Sequence, residues 1–214
     1  MGNSIQKAGE SRHLRISEPS PWVRRHAPLI PKDGPSGGRV LDLAAGGGRH
    51  ARYLLEMGYR VTAVDRSLEG LAKLENLPDM EVLQVDLEDE TPWPFKGRVF
   101  AGIVVVNYLH RPLFPLLLDC LEPNGVLIYE TFSRGNEQFT RPRNPDHLLK
   151  SGELLQLAEG RLQVVAYEHG IFEKYPCPGV IQHICAVNDL ALSTRDDNEP
   201  PAHPFRKGDG TISE

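Results

Sequence analysis

The sequence predicts a doubly wound α/β domain with a seven-stranded sheet, mostly parallel, that closes in an antiparallel hairpin. Three observations predict it. Strand-like apolar runs alternate with helix-period segments through the middle of the chain. The runs RVLDLA, VFAGIVVVNYL and VLIYETF are almost continuously apolar, as parallel strands covered on both faces are. Finally, only FEKYPCPG, about eight residues, separates the last two runs. A parallel crossover needs about a dozen or more, so this pair is antiparallel.

Each element has its own signature. RVLDLA (39–44) is the first strand. RHARYLLEM (49–57) is a helix with Ala51, Leu54 and Leu55 on one face and Gly58 as its stop. YRVTAVD (59–65) is the second strand, and Ser67 is placed to cap a short helix through Leu74. MEVLQVDL (80–87) and VFAGIVVVNYL (99–109) are the third and fourth strands. In RPLFPLLLDCLEPNG a helix is expected, with Pro112 in its first turn and Gly125 just past its end. VLIYETF (126–132) follows, then SGELLQLAE as a helix capped by Ser151, then LQVVAYEHGI and VIQHICAVN as the final strands. The expected organisation is an N-terminal segment (1–35) with PWVRRH as a lid element, the α/β domain (36–190) and a disordered tail (191–214). The tail is rich in proline and charge. The loop 133–150 is a second lid candidate.

Composition narrows the function. The 214 residues suit one domain with flanking segments, and the 40% hydrophobic share suffices for one core. No run approaches the roughly 18 apolar residues of a spanning helix. MGNSIQKAGESRH lacks a secretory core, and Gln6 breaks the myristoylation pattern. A cytoplasmic protein is the expectation, as monomer or homodimer, with no membrane partner. A net charge of −5 argues against a broad nucleic-acid surface. The three cysteines, Cys120, Cys177 and Cys185, form no CxxC pair, so neither a disulfide scaffold nor a structural metal is expected.

The chemistry sits in VLDLAAGGGRHARYLLEMGYRVTAVD. Gly46 to Ala51 satisfies G-x-G-x-x-G/A, and Asp65 follows the second strand, the pattern of a dinucleotide fingerprint. Asp42, four residues before Gly46, fits that reading poorly. A carboxylate is repelled by a pyrophosphate and favoured by an ammonium. Asp86-Leu87 adds a second acid-bearing turn after the third strand, where an adenine amino group has an acceptor.

With these residues in view, the chain resembles the class I S-adenosylmethionine (SAM) methyltransferases. Asp42-Leu43-Ala44-Ala45-Gly46-Gly47-Gly48 is similar to their D/E-x-G-x-G-x-G loop, and the closing hairpin to their last two strands. LDLAAGGGRHARYLLEMGYRVTAVDRS and VVVNYLHRPLF resemble most closely the tellurite-resistance-type and ubiquinone-biosynthesis-type small-molecule methyltransferases. The resemblance covers roughly residues 36–188. Two positions depart from it: Ala44, where the family has a glycine, and Ala101-Gly102, where relatives carry an acid.

The resemblance implies a Rossmann-like methyltransferase fold with SAM as cofactor and S-adenosylhomocysteine as product. It implies a cofactor site of Asp42, Ala44, Ala45, Gly46, Gly48, Asp65, Arg66, Asp86, Leu87 and Asn107. Asp42 would lie near the methionine ammonium, Asp65 at the ribose and Asp86 at the adenine. Tyr108 and His110, at the end of the fourth strand, are the candidate catalytic residues, with His110 as a proton acceptor. Glu130 and Phe132 border the acceptor side, and Arg111, Arg134, Arg141 and Arg143 are candidates for an anionic substrate. Arg49 and His50 open the first helix, and Trp93 either packs near the adenine or anchors its loop. The turn after the fourth strand, Asn107-Tyr108-Leu109-His110, lacks the prolines of the amino-directed nucleic-acid enzymes of this class. No cysteine stands where the cytosine-C5 enzymes carry theirs. Both absences favour a small-molecule acceptor. A SAM-binding sensor or partner subunit, and a nicotinamide dehydrogenase, are the competing readings.

Overall fold

The computed structural model describes residues 17–89, 91–173 and 178–204. Seven strands form one sheet: β1 (Arg39–Leu43), β2 (Arg60–Asp65), β3 (Met80–Gln84), β4 (Phe100–Val106), β5 (Leu121–Phe132), β6 (Gln163–Phe172) and β7 (Gly179–Val187). The order is β3-β2-β1-β4-β5-β7-β6. The first five strands pair in parallel, and β7 runs antiparallel to both β5 and β6. This is the predicted architecture. It puts the carboxyl ends of β1 to β5 on one edge, where the order reverses between β1 and β4.

Among the described residues four α-helices cover the sheet: α1 (Pro21–His26), α2 (Arg49–Glu56), α3 (Phe114–Asp119) and α4 (Glu153–Ala158). Side-chain alternation splits the core. Leu41, Leu43, Ile103, Val105, Leu127 and Tyr129 pack on the α3/α4 face. Val40, Val61, Ala63, Val104, Val126 and Ile128 pack on the α1/α2 face. Each such burial contributes about 1.5–3 kcal/mol.

Residues 20–30 form a structural layer against the sheet. Trp22, Val23, Ala27 and Ile30 are buried in the α1/α2 core. The Trp22 indole N–H donates to the Ile184 carbonyl, and the Tyr59 hydroxyl bonds the Ala27 and Ile30 carbonyls. The piece after α1 is a 3-10 turn over Ala27–Leu29. Gly102 faces this layer: a Cβ there would come within 2.7–3.0 Å of the Ile30 side chain. An acid at that position has no room.

Three expected helix boundaries are corrected. Residues 69–76 form successive turns instead of a helix; Ser67 donates its N–H to Asp65, and its hydroxyl accepts the Glu69 N–H at 3.4 Å. Gly125 lies inside β5, since α3 stops at Asp119 and the chain re-enters the sheet at Leu121. A Cβ on Gly125 would meet the carbonyls of Glu122 and Phe100. The cap of α4 is Gly152, with φ +73, and Ser151 makes no capping bond. Residues 190–192 form a 3-10 turn, and His203 contacts Asp189 at 2.7 Å. Cys120 and Cys185 are buried, as expected, and Cys177 lies outside the described residues. Among the described residues no helix is long and apolar enough to cross a membrane, and no cluster of metal-ligand type occurs.

Candidate active site

A cavity of about 1130 Å³ opens at the carboxyl edge of the sheet. Its wall includes Ala44, Ala45, Gly46, Asp65, Arg66, Asp86, Leu87, Asn107 and Tyr108, nine of the residues named from sequence. Each comes from the end of a strand: β1, β2, β3 or β4. Asp42, Gly48 and His110 are not on the wall.

The loop after β1 is shaped by backbone chirality. Ala44, Gly46 and Gly48 have φ of +53, +55 and +70. Glycine adopts this region freely, whereas an L side chain there costs about 1–2 kcal/mol. Ala44 therefore carries strain that a glycine would avoid. Ala44→Gly should raise stability by about 0.5–1 kcal/mol, the steric relief exceeding the extra chain entropy of glycine. Thermal unfolding should register a gain of about 2 °C. An unchanged or lower Tm would show that the strain is absent.

Asp65 has a structural bond besides its place on the wall. One carboxylate oxygen accepts the Gly46 N–H at 2.8 Å, and the other accepts the Ser67 N–H at 3.0 Å. The acid ties β2 to the glycine loop. Asp86 is held by the Glu88 N–H at 3.0 Å. Glu88, which the sequence reading missed, is a third acid on this side of the wall.

Asp42 serves the loop from behind. It is buried and accepts the Ala51 N–H at 2.9 Å, anchoring the first turn of α2. Burial pushes its carboxyl up to about 7. Asp42 thus supports the loop from beneath the cavity wall. Gly48 caps α2, and a Cβ there would strike Leu71 and Leu74. Arg49 and His50 are buried, not solvated. His50 Nε2 accepts the Ser20 N–H at 3.2 Å, and burial pushes its pKa down to about 3.

Tyr108 is half-buried on the wall. Burial first, then the carboxylates of Glu88, Asp86 and Asp65, drives its phenol well above the ordinary range, so it stays protonated. His110 precedes the 3-10 turn Arg111–Leu113 and is not among the wall residues. Phe132 is on the wall, whereas Glu130 is buried and accepts the Ser20 hydroxyl. Arg111 is committed elsewhere, gripping both oxygens of Glu153 and the carbonyls of Asp146 and Leu148. Arg134 is exposed and off the wall, whereas Arg141 and Arg143 line it. Trp93 anchors its loop by an indole bond to Cys120 Sγ at 3.3 Å.

Sheet order, reversal point and glycine-loop cavity define the class: the chain has the class I methyltransferase fold. Comparison with known proteins narrows this further, since residues 40–125 match the family model described as a methyltransferase domain. YqeM of Bacillus subtilis (strain 168), whose own assignment as a methyltransferase is provisional, is 32% identical over 111 residues. That alignment is 46% of this chain and 44% of YqeM, so the chain spans less than half of that relative. TehB from Haemophilus influenzae superposes with a TM-score of 0.55 at 18% identity, covering 70% of this chain and 57% of that one. The N-methyltransferase NodS from Bradyrhizobium japonicum WM9, in complex with S-adenosyl-L-homocysteine, also gives 0.55, at 17% identity. It covers 83% of this chain and 95% of NodS.

Proposed function

We propose that the protein is a SAM-dependent methyltransferase acting on a small-molecule acceptor. The observation that carries the reading is the junction at Asp65. One carboxylate both borders the cavity and fixes the glycine loop that forms the neighbouring wall. The donor and acceptor chemistry fits the cofactor. Carboxylates of Asp65 and Asp86 can accept from ribose hydroxyls and an adenine amine, and Leu87 offers an apolar flank to the ring. The backbone of Ala44, Ala45 and Gly46 lies where the methionine end would rest, with Asn107 opposite, its own backbone left-handed at φ +59. Arg66 borders the ribose side.

Bound SAM would supply an activated methyl group to the acceptor's lone pair, with Ala44, Ala45, Gly46, Asp65 and Asp86 the residues that would hold it. The protein's part is to hold the acceptor in line and close, which is worth several kcal/mol of barrier. Tyr108, kept protonated, suits a hydrogen-bond donor to the acceptor better than a base. His110, off the wall, is given no proton-transfer role. The cytoplasm is the proposed compartment.

Calorimetric titration with S-adenosylhomocysteine, with NAD as comparator, tests the reading. Binding near the micromolar range, about −8 kcal/mol, with no response to NAD, supports it. No binding to ligand-free protein removes it. Transfer of labelled methyl from SAM to a metabolite extract then separates an enzyme from a SAM-binding sensor or partner subunit. Asp65→Ala should weaken homocysteine-form binding by about a hundredfold, because it removes a charged acceptor and frees the glycine loop. Unchanged affinity would remove the ribose assignment.

A further inference from the structure

We propose that the acceptor is a small organic anion, and that Arg141 and Arg143 bind its carboxylate or phosphate. The inference rests on the methyltransferase reading and assigns the substrate class for that same cavity. Both arginines line the cavity, and neither has an ion-pair or hydrogen-bond partner for its guanidinium among the described residues. Arg111, by contrast, is fully engaged by Glu153. The two free guanidinia present planar donor forks, which match the two oxygens of a carboxylate or phosphate.

Their backbone is fixed. Asn136 is fully buried, and its side-chain amide donates to the carbonyls of Thr140 at 3.3 Å and Pro142 at 3.0 Å. These two residues bracket Arg141, and Pro142 directly precedes Arg143. The loop is therefore held against the cavity by a side chain from within the fold, and its charges have a fixed origin.

The carboxylates of the cavity wall are gathered on one side, where Arg66 is their basic neighbour on the wall, and Arg49 enters from the helix after β1. Asp65 ends β2, while Asp86 and Glu88 follow β3, at one side of the sheet. The arginines follow β5, on the far side of β1 and β4. The acids face the nucleoside half, which offers hydroxyl and amine donors. Arg141 and Arg143 face the remaining half, where the acceptor must approach the methyl. An anion is attracted there, and the separation from the acids spares it their repulsion.

The test titrates protein saturated with S-adenosylhomocysteine against benzoate, phenyl phosphate and neutral benzamide. Nuclear magnetic resonance shifts report binding. Benzoate or phenyl phosphate should bind at least about tenfold more tightly than benzamide, and R141A/R143A should abolish that preference. Which anion wins tells carboxylate from phosphate. Anions that bind no better than benzamide, or a preference that survives in the double variant, would overturn the proposal. So would loss of S-adenosylhomocysteine binding in R141A/R143A, which would reassign the arginines to the cofactor. Failure of the wild-type protein to bind S-adenosylhomocysteine is a separate result, and it removes the methyltransferase reading itself.

Discussion

Gly70→Ala should cost about 2–3 kcal/mol of stability and weaken S-adenosylhomocysteine binding by more than about a hundredfold. A Cβ on Gly70 would lie 2.2 Å from the Gly46 carbonyl oxygen and 2.8 Å from the Gly47 Cα. Both are backbone atoms of the glycine loop, so no side chain can swing aside. Gly70 does not have positive φ, so alanine is acceptable to its own backbone and the effect is purely steric. The turns over residues 69–76 would have to lift, or the loop would have to slide into the cavity. Lifting is opposed by Leu71 and Leu74, which are buried against Gly48. Gly170→Ala is the control, since nothing lies within 4 Å of a Cβ there and its φ is ordinary. Calorimetry and urea unfolding on both variants read the two effects. A Gly70 variant that binds as the wild type does would show that the turn and the loop are not coupled.

Glu130→Gln should stabilise the protein in alkali by about 2–3 kcal/mol and change little in acid. Glu130 is 3% exposed, and burial pushes its carboxyl up to about 7, against the opposing effects of the Ser20 hydroxyl and the Arg49 charge. A raised carboxylate pKa means that the folded state prefers the neutral acid. The stability from this group is therefore complete below about 4.5, the unfolded value, and lost as pH rises through about 7. Glutamine keeps an acceptor for Ser20 and carries no charge to bury. His183, 3.9 Å from Glu130, works in the opposite sense. Burial depresses it to about 4, so its contribution is present above 6.5 and lost as pH falls toward 4. The two slopes oppose one another in the acid range, and only the carboxylate cost remains in alkali. Urea unfolding at pH 5, 7 and 8.5 should show the variant's advantage growing with pH. An advantage equal at pH 5 and 8.5 would rule out titration of Glu130 as its source.

The sheet was legible because its signals were redundant. FAGIVVV could only be a covered strand, and it is buried along its whole length. The short FEKYPCPG link required reversal, and β7 runs antiparallel. The cavity wall was legible for a related reason: in this topology, strand ends converge. What failed depended on neighbours distant in sequence. Asp42 looks like a ligand-facing acid, yet the Ala51 N–H, nine residues on, claims it. His50 opens a first helical turn, yet it is buried, lines the cavity and accepts the N–H of Ser20, 30 residues away. Arg111 and Arg143 read alike in sequence, and only the placement of Glu153 separates them. Ala44 departs from the glycine of the loop pattern that the chain resembles, and its left-handed backbone shows why glycine suits that position.

The insertion of β7 between β5 and β6 has a consequence for synthesis on the ribosome. When residues up to 172 have emerged, β1 to β5 can pair in full, but the outer side of β5 has no partner. β6 cannot supply one, because its neighbour is the strand still to come. The nascent chain therefore carries an apolar, hydrogen-bond-hungry flank until residue 187 clears the exit tunnel, and only then does the hairpin seal it. During that interval the emerging domain is a natural client for chaperones, and a pause in translation within residues 173–187 lengthens its exposure to self-association.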